Sequence, residues 1–125
     1  MGEKLLKIAV IYFLIAVLLG MFMSMTHNFN FTPAHAHIAL LGWASLGIAG
    51  LIYILYPKAE ASKLGKAHFW FHNIGLPIMM IGLLLLEGGM VTAEPIIGIG
   101  ANITTIGIIL FVINVFRNVS AAGRK

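Results

Sequence analysis

Four long apolar runs constrain this chain more than any other feature. Residues 8–25, 34–56, 67–86 and 96–116 contain no Asp, Glu, Lys or Arg. As α-helices that rise about 1.5 Å per residue, all four are long enough to cross about 30 Å of hydrocarbon. We therefore predict an all-α, integral membrane four-helix protein. Residues 1–125 form one transmembrane domain, with helices at about 5–26, 34–56, 67–87 and 95–117.

The composition excludes several classes of protein. Hydrophobic residues make up 60% of the chain and charged residues only 10%. About a quarter of an ordinary soluble domain is charged, so this composition argues against a soluble globular domain. The chain contains no cysteine. Disulfide scaffolds, thiolate zinc sites, iron–sulfur clusters and thiol catalysis are therefore excluded.

The basic residues predict the topology. With four crossings, all eight Lys and Arg residues fall on one side of the membrane, whereas the two loops on the other side hold only Glu87 and Glu94. By the positive-inside rule the basic side is the cytoplasm, so both termini are expected there, in a multi-pass protein of the cell inner (cytoplasmic) membrane. The basic residues then determine orientation among the lipids, and no nucleic-acid partner is expected.

Five histidines are the main functional clue in so apolar a chain. Ionisable side chains at membrane depth are costly, which makes them functional candidates. On the predicted topology His27, His35 and His37 lie at the outer ends of the first two helices. His68 and His72 lie at the inner end of the third, roughly a membrane thickness away.

His35 and His37 point about 160° apart on an α-helix, because two residues advance it by slightly more than half a turn. They cannot clamp one ion together, but each can ligate a different group. The face below His35 continues with the small residues Ala39 and Gly42, which admit a flat ligand or another helix. Below His37 the helix presents an apolar wall that a porphyrin edge could contact, formed by Leu41, Ala44, Ile48 and Leu51. The spacing alone leaves open that both are interfacial histidines wetted by headgroup water.

His68 and His72 are four residues apart and share one helix face. A pair at this spacing can chelate one metal ion. We expect His68 to be exposed at the level of the inner headgroups. His72, one turn deeper, is a weak metal candidate, and it could instead bond to Asn73 or to another helix.

The stretch THNFNFTPAHAHIALLGWASLGIAGLIYILYP resembles the tenth helix, and the segment before it, of the catalytic subunit of haem-copper oxidases. The shared pattern is a histidine, then His-x-His, then a glycine-bearing helix that closes near an aromatic residue and a proline. The next segment, GKAHFWFHNIGLPIMMIGLLLLEGG, resembles the eleventh helix of that subunit. The resemblance covers about half of the chain. With the first and fourth helices, which match only as apolar spans, the chain resembles the arc formed by the ninth to twelfth helices.

This resemblance implies a role for each matching histidine. His35 matches the axial ligand of the high-spin, gas-binding haem, and His37 matches one axial ligand of the low-spin, electron-transfer haem. His27 matches a histidine of a small magnesium site, and the aspartate of that site is Asn28 here. The resemblance therefore implies haem iron at His35 and His37, and a weaker metal ligand at His27.

The chain also departs from the pattern of the family. It lacks the three histidines that hold copper, and the tyrosine linked to one of them. Glu87 and the five residues after it stand where the family has a pair of arginines that hold the haem propionates. Reduction of oxygen to water by one copy is therefore not expected, and enzymatic turnover is left open.

The expected function is binding of haem b near the outer face, for electron transfer or for binding a gas such as O₂ or NO. A redox partner protein or a quinol would supply electrons. The alternatives are a non-haem membrane protein that binds copper, and a structural subunit of a larger respiratory complex. Because a six-coordinate haem needs a second imidazole, we expect self-association, with a homotrimer favoured over a dimer.

Overall fold

The computed structural model describes all 125 residues and contains no β-strand. Four long helices form the body: α1 (Gly2–Thr26), α2 (Thr32–Leu55), α4 (Lys63–Glu87) and α5 (Glu94–Asn118). A short helix, α3 (Pro57–Ala61), connects α2 to α4. Each long helix is apolar and long enough to cross a membrane, which confirms the predicted four-helix membrane fold.

Local sequence signals explain where the helices begin and end. Pro33 and Pro95 lie in the first turns of α2 and α5, where the missing N–H of a proline costs nothing. The Ser62 hydroxyl oxygen caps α4 by accepting a hydrogen bond from the Gly65 N–H at 2.9 Å. α1 and α4 begin three or four residues before the predicted starts, because a helix can continue past the hydrocarbon into its polar flanks.

α2 contains a π-helical segment, Ile38–Ala44, directly after His37. At its end the Ser45 N–H bonds to the Leu40 carbonyl, five residues back, instead of to the Leu41 carbonyl four residues back. The wider turn adds a residue and rotates the rest of the helix. We did not predict this segment, and π-helical turns occur often at functional sites.

The helices pack as two pairs, α1 with α2 and α4 with α5, and the pairs meet where the first half of α2 contacts α4. Glycines allow the close approach. A Cβ atom added to Gly42 would lie 2.5 Å from the Tyr12 ring, and one added to Gly75 would lie 2.5 Å from the Thr104 nitrogen. Large apolar side chains cover the outside of the bundle, as a lipid-facing surface requires.

Both termini and α3 lie at one end of the bundle, which we call the basic end. The amino group of Met1 pairs with Glu60 Oε1 at 2.6 Å, and the Lys125 N–H donates to the Leu55 carbonyl at 2.8 Å. The residues between α1 and α2 and those between α4 and α5 form the opposite end. That the basic end faces the cytoplasm remains a prediction.

Candidate functional site

A groove between α2 and α5, with α4 beside them, brings three of the five histidines to one side of the protein. Its first half, the His37 half, is a pocket of about 300 Å³ lined by His37, Leu41, Met79, Ala101, Thr104, Thr105 and Ile108. Its second half, the His72 half, also measures about 300 Å³ and is lined by Ser45, Ile48, His68, His72, Ile108, Phe111 and Val112. Ile108 lines both halves, so they adjoin. Each volume is at the lower limit for a small-molecule site.

His37 has the arrangement of a metal-ligating histidine. Its Nδ1 lies 2.7 Å from the Pro33 carbonyl oxygen, one turn back along α2. A carbonyl can only accept, so Nδ1 carries the proton and donates. The lone pair is then on Nε2, and the ring lines the groove. Histidines that bind metals commonly donate their other ring N–H to a backbone carbonyl in this way.

His35 points away from the groove, toward α1. A Cβ atom added to Gly20 would lie 3.1 Å from the Cε1 atom of the His35 ring. The Nδ1 of His35 is buried and has no hydrogen-bond partner. The two histidines therefore face different neighbours, as their spacing on an α-helix requires. His35 lacks the backbone acceptor that orients His37.

The small residues below His35 pack against α1 instead of lining an open surface. The Tyr12 ring covers Gly42, and Ala39 packs against the buried core. A flat ligand on this face of a single chain would have to displace Tyr12. The sequence left open whether these small residues admit a flat ligand or another helix. In the single chain they contact another helix, α1.

The π-helical segment changes the wall that we expected below His37. Leu41 lines the His37 half of the groove and Ile48 the His72 half, but Ser45 lies on this face where Ala44 was expected. Ala44 and Leu51 line a separate apolar pocket beside α1, together with Leu6, Trp43, Gly47 and Ile48. For Ala44 and Leu51 the expectation was wrong, because it assumed 3.6 residues per turn throughout the helix.

His27 is exposed at the opposite end of the bundle. It follows α1 in the left-handed conformation, with φ at 52°, and does not line the groove. Nothing in this arrangement favours it over the other histidines as a ligand.

His68 and His72 are buried, with 1% and 0% of their surfaces exposed, so the expectation of an exposed His68 is wrong. Both rings are held by hydrogen bonds. The Tyr53 hydroxyl lies 2.7 Å from His68 Nδ1, His68 Nε2 lies 3.1 Å from His72 Nδ1, and His72 Nε2 lies 2.9 Å from the Leu41 carbonyl oxygen. All four ring nitrogens have partners, which leaves none of them free to chelate a metal.

The depth of His72 also differs from our expectation. It bonds to Leu41, which is one turn from His37 along α2, so the two groups of histidines are not a membrane thickness apart. The estimate failed because α4 begins at Lys63, which places His72 about 13 Å along that helix at 1.5 Å per residue.

Sequence reasoning missed three polar residues that support this pair: Tyr53, Asn114 and Ser62. Asn114 Nδ2 donates to the Tyr53 hydroxyl oxygen at 3.5 Å and to the Ala59 carbonyl at 3.0 Å. The Ser62 hydroxyl donates to Asn114 Oδ1 at 2.9 Å. The sequence offered one signal for this cluster: Asn114 places a polar amide inside the last apolar run, and polar groups within a membrane span are candidates for a specific role.

Glu87 joins the two helix pairs at the opposite end. Its Oε1 accepts a hydrogen bond from the Ala34 N–H in the first turn of α2, at 3.1 Å, while its Oε2 is buried without a partner. A carboxylate suits this position because the first N–H groups of a helix lack acceptors within it. Glu87 therefore helps to place the turn that carries His35 and His37.

No three His, Cys, Asp or Glu side chains come together in a group that could hold a metal ion. A haem requires less of the protein than a bare ion does, because the porphyrin supplies the equatorial nitrogens and the chain only axial ligands. A single imidazole such as His37 can be a ligand of this kind.

These features define a helical membrane protein in which one imidazole with a fixed tautomer faces an apolar groove. Residues 3–95 match the family described as Cytochrome C and Quinol oxidase polypeptide I, and the chain belongs to that family. The match confirms the resemblance to the haem-copper oxidase catalytic subunit and ends at the start of α5. No curated protein and no solved structure matches the chain.

Proposed function

We propose that this protein binds haem b in the membrane, with His37 as an axial ligand. The observation that carries the proposal is the bond from His37 Nδ1 to the Pro33 carbonyl, which leaves Nε2 available for iron at the edge of the groove. Membership of the oxidase family supports the same cofactor. A bound haem would supply electron transfer or gas binding.

The walls of the groove suit a porphyrin. Leu41, Met79, Ala101 and Ile108 give apolar contacts around His37, while Thr104 and Thr105 are the polar residues. The Thr104 hydroxyl already donates to the Gly100 carbonyl at 2.8 Å. These walls would exclude water and hold the ring beside the imidazole, and the groove is open on its outer side, where a larger group can extend.

His35 would serve a second haem, on the other side of α2. Its unpartnered Nδ1 is a buried polar atom that the bundle itself does not satisfy. Because its ring rests on Gly20, binding there requires α1 to shift. We therefore assign the first haem to His37 and regard His35 as the ligand of a separate, less accessible site.

A six-coordinate haem at His37 needs a second axial ligand, and no other histidine lines that half of the groove. We propose that a second copy of the chain supplies it, in a homotrimer in preference to a dimer. If each copy contacts the next through two different surfaces, the copies must either close into a ring or continue as a fibre. A trimer is a closed ring of this kind.

The experiment that tests the proposal is an absorption spectrum of the purified, membrane-extracted protein, with and without added haem b. A Soret band is expected, and its low-spin component should be lost in His37→Ala. His27→Ala is the matched control, because that exposed histidine lies outside the groove, and it should retain the band. A wild-type protein that takes up no haem, or a His37→Ala variant with an unchanged spectrum, would refute the proposal.

A further inference from the structure

One side of α5 is exposed along most of that helix. Its residues follow one another at alternating intervals of three and four, and all of them are exposed: Asn102, Thr105, Ile109, Val112 and Phe116. We call this surface the Asn102 face. The opposite side of α5 packs on α4, where Gly100 and Gly107 lie against the α4 backbone. Since α5 lies almost entirely beyond the segment that matches the family, membership of the family does not account for this face.

The spacing suits contact with another helix. Intervals of three and four residues average 3.5, the period that keeps a stripe of side chains on the shared side of two helices in a left-handed pair. Most helix bundles in membranes cross in this left-handed sense. Any exposed side of a helix has such spacing, however, so the identity of the residues must decide. What distinguishes this face is the asparagine within it.

Asn102 places an amide where lipid would surround it. It is the ninth residue of α5, about 12 Å from the start of the helix at 1.5 Å per residue, which is inside the hydrocarbon. Its Nδ2 donates one hydrogen bond, to the Gly98 carbonyl oxygen at 2.8 Å. The Oδ1 oxygen and the second Nδ2 hydrogen have no partner within the chain. Unpaired polar atoms are costly in hydrocarbon, so a neighbouring molecule is required to satisfy this amide.

We propose that the Asn102 face binds the same face of a second copy of the chain within the membrane. Copies of one chain insert with the same orientation, so their α5 helices run parallel and their Asn102 side chains lie at the same depth. An amide both donates and accepts, so the Nδ2–H group of one Asn102 can bond to the Oδ1 oxygen of another. This complementarity of a residue with itself favours a second copy over an unrelated protein.

The same contact suits a dimer or a trimer. In a pair, the two amides donate to each other, and around a threefold axis each amide donates to the next. A single asparagine in a stripe of this period fixes the register of paired helices, because any sliding leaves the amides unpaired. Asn102 therefore fixes the relative height of the copies in the membrane.

The Asn102 face borders the groove. Thr105 lines the His37 half of the groove, and Val112 lines the His72 half. A helix of a second copy on this face would therefore lie along the open side of the groove. The use of that enclosed groove for haem rests on the proposed function, whereas the contact itself follows from Asn102 and needs no haem. A haem shared between copies would strengthen the same assembly.

The first test measures association of the full chain in phosphatidylcholine vesicles. Copies labelled at Asn30→Cys with a donor or an acceptor fluorophore report association by energy transfer, over a range of protein-to-lipid ratios. In Asn102→Leu the ratio at half-association should rise about tenfold, the order that hydrogen bonds between membrane helices contribute. Asn102→Gln keeps an amide at this position and should retain most of the association.

Asn73→Leu is the matched control for the loss of an amide. The Asn73 Nδ2 also donates to a carbonyl oxygen four residues back, that of Phe69 at 2.7 Å, but the residue lies on α4, away from the Asn102 face. The ratio at half-association should therefore stay at the wild-type value. Circular dichroism of both leucine variants checks that the helices are retained.

A second measurement locates the contact and leaves Asn102 unchanged. Val112→Cys lies on the Asn102 face and Ile106→Cys beside it, and the natural side chains are exposed to similar extents, 48% and 45%. Six residues rotate an α-helix by about 600°, which directs the two side chains about 120° apart. Oxidation by iodine in the membrane should link copies of Val112→Cys, because a disulfide needs Cα atoms within about 7 Å. It should leave Ile106→Cys unlinked.

Three results would overturn the proposal. Wild-type protein that stays monomeric at every protein-to-lipid ratio would show that lipid or a different protein covers the face. Equal association of wild type and Asn102→Leu would show that the amide does not hold the copies together. Equal cross-linking at positions 106 and 112 would show that this face is not the contact.

The absorption spectrum of the same samples separates this inference from the proposed function. Val112→Cys should also form cross-links when combined with His37→Ala, since the contact needs no haem. Protein that binds no haem but associates through Asn102 refutes the haem proposal and retains the interface. Protein that binds haem but associates equally well without the amide refutes the interface alone.

Discussion

His68 Nε2 lies 3.1 Å from His72 Nδ1, so two imidazoles one turn apart on an apolar helix bond to each other. The four-residue spacing places them on one face and is equally compatible with a shared metal ion. Tyr53 and Leu41, which bind the two outer nitrogens, decide between the possibilities. Their presence makes the pair a hydrogen-bonded chain.

The two histidines of α2 should affect haem spectra differently. We expect His35→Ala to retain the low-spin signal that His37→Ala loses, because only His37 faces the groove and has a backbone acceptor for Nδ1. His68→Ala should leave the haem spectrum unchanged, since both nitrogens of His68 already have partners. Optical and electron paramagnetic resonance spectra of the three variants check this. Loss of haem in His68→Ala, with both α2 variants unaffected, would contradict the assignment.

The α4–α5 contact should be sensitive to a single methyl group. In Gly100→Ala the new Cβ atom would overlap the Met79 backbone, and we expect a loss of about 1–3 kcal/mol, the usual cost of overpacking. Gly98→Ala, two residues away, is the control: nothing lies within 4 Å of its Cβ position. Because alanine is the better helix former, that variant should gain about 0.5–1 kcal/mol. Reversible unfolding in mixed micelles measures both, and equal stabilities would show that the helices do not pack this closely.

The topology can be tested with two single cysteines, because the natural chain has none. On intact cells a membrane-impermeant maleimide should label Asn30→Cys, at the opposite end, and should not label Ala61→Cys, at the basic end. Both positions are exposed. Permeabilised cells, in which both variants should react, serve as the control. Labelling of Ala61→Cys alone would reverse the predicted orientation.

The assembly should be a homotrimer that depends on bound haem. We expect native mass spectrometry in detergent to show three chains for the haem-loaded protein, because the second axial ligand must come from another copy. His37→Ala should weaken the assembly if the shared haem contributes to it. A haem-loaded monomer would refute the oligomer, and a dimer would refute only the threefold arrangement.

Much of the architecture could be predicted from the order of the residues. The length of each apolar run predicts a membrane-spanning helix, since a helix satisfies all of its backbone hydrogen bonds within one segment inside lipid. The proline positions predict helix starts. The opposite directions of His35 and His37 also follow from the sequence, because both precede the π-helical segment and local α-helical geometry governs them.

The chemistry of the second histidine pair depended on contacts between distant residues. Leu41 is 31 residues from His72, and Asn114 is 61 residues from Tyr53, so no local pattern could pair them. The π-helical turn also depends on a distant residue. The Leu41 carbonyl, which loses its α-helical partner Ser45, bonds instead to the His72 side chain of another helix. The lengths of the apolar runs and the placement of the charges, which are local features, determined four spans and their shared basic end. Only the tertiary structure decided which buried polar groups meet, because each must find its partner across a helix interface where no water can replace it.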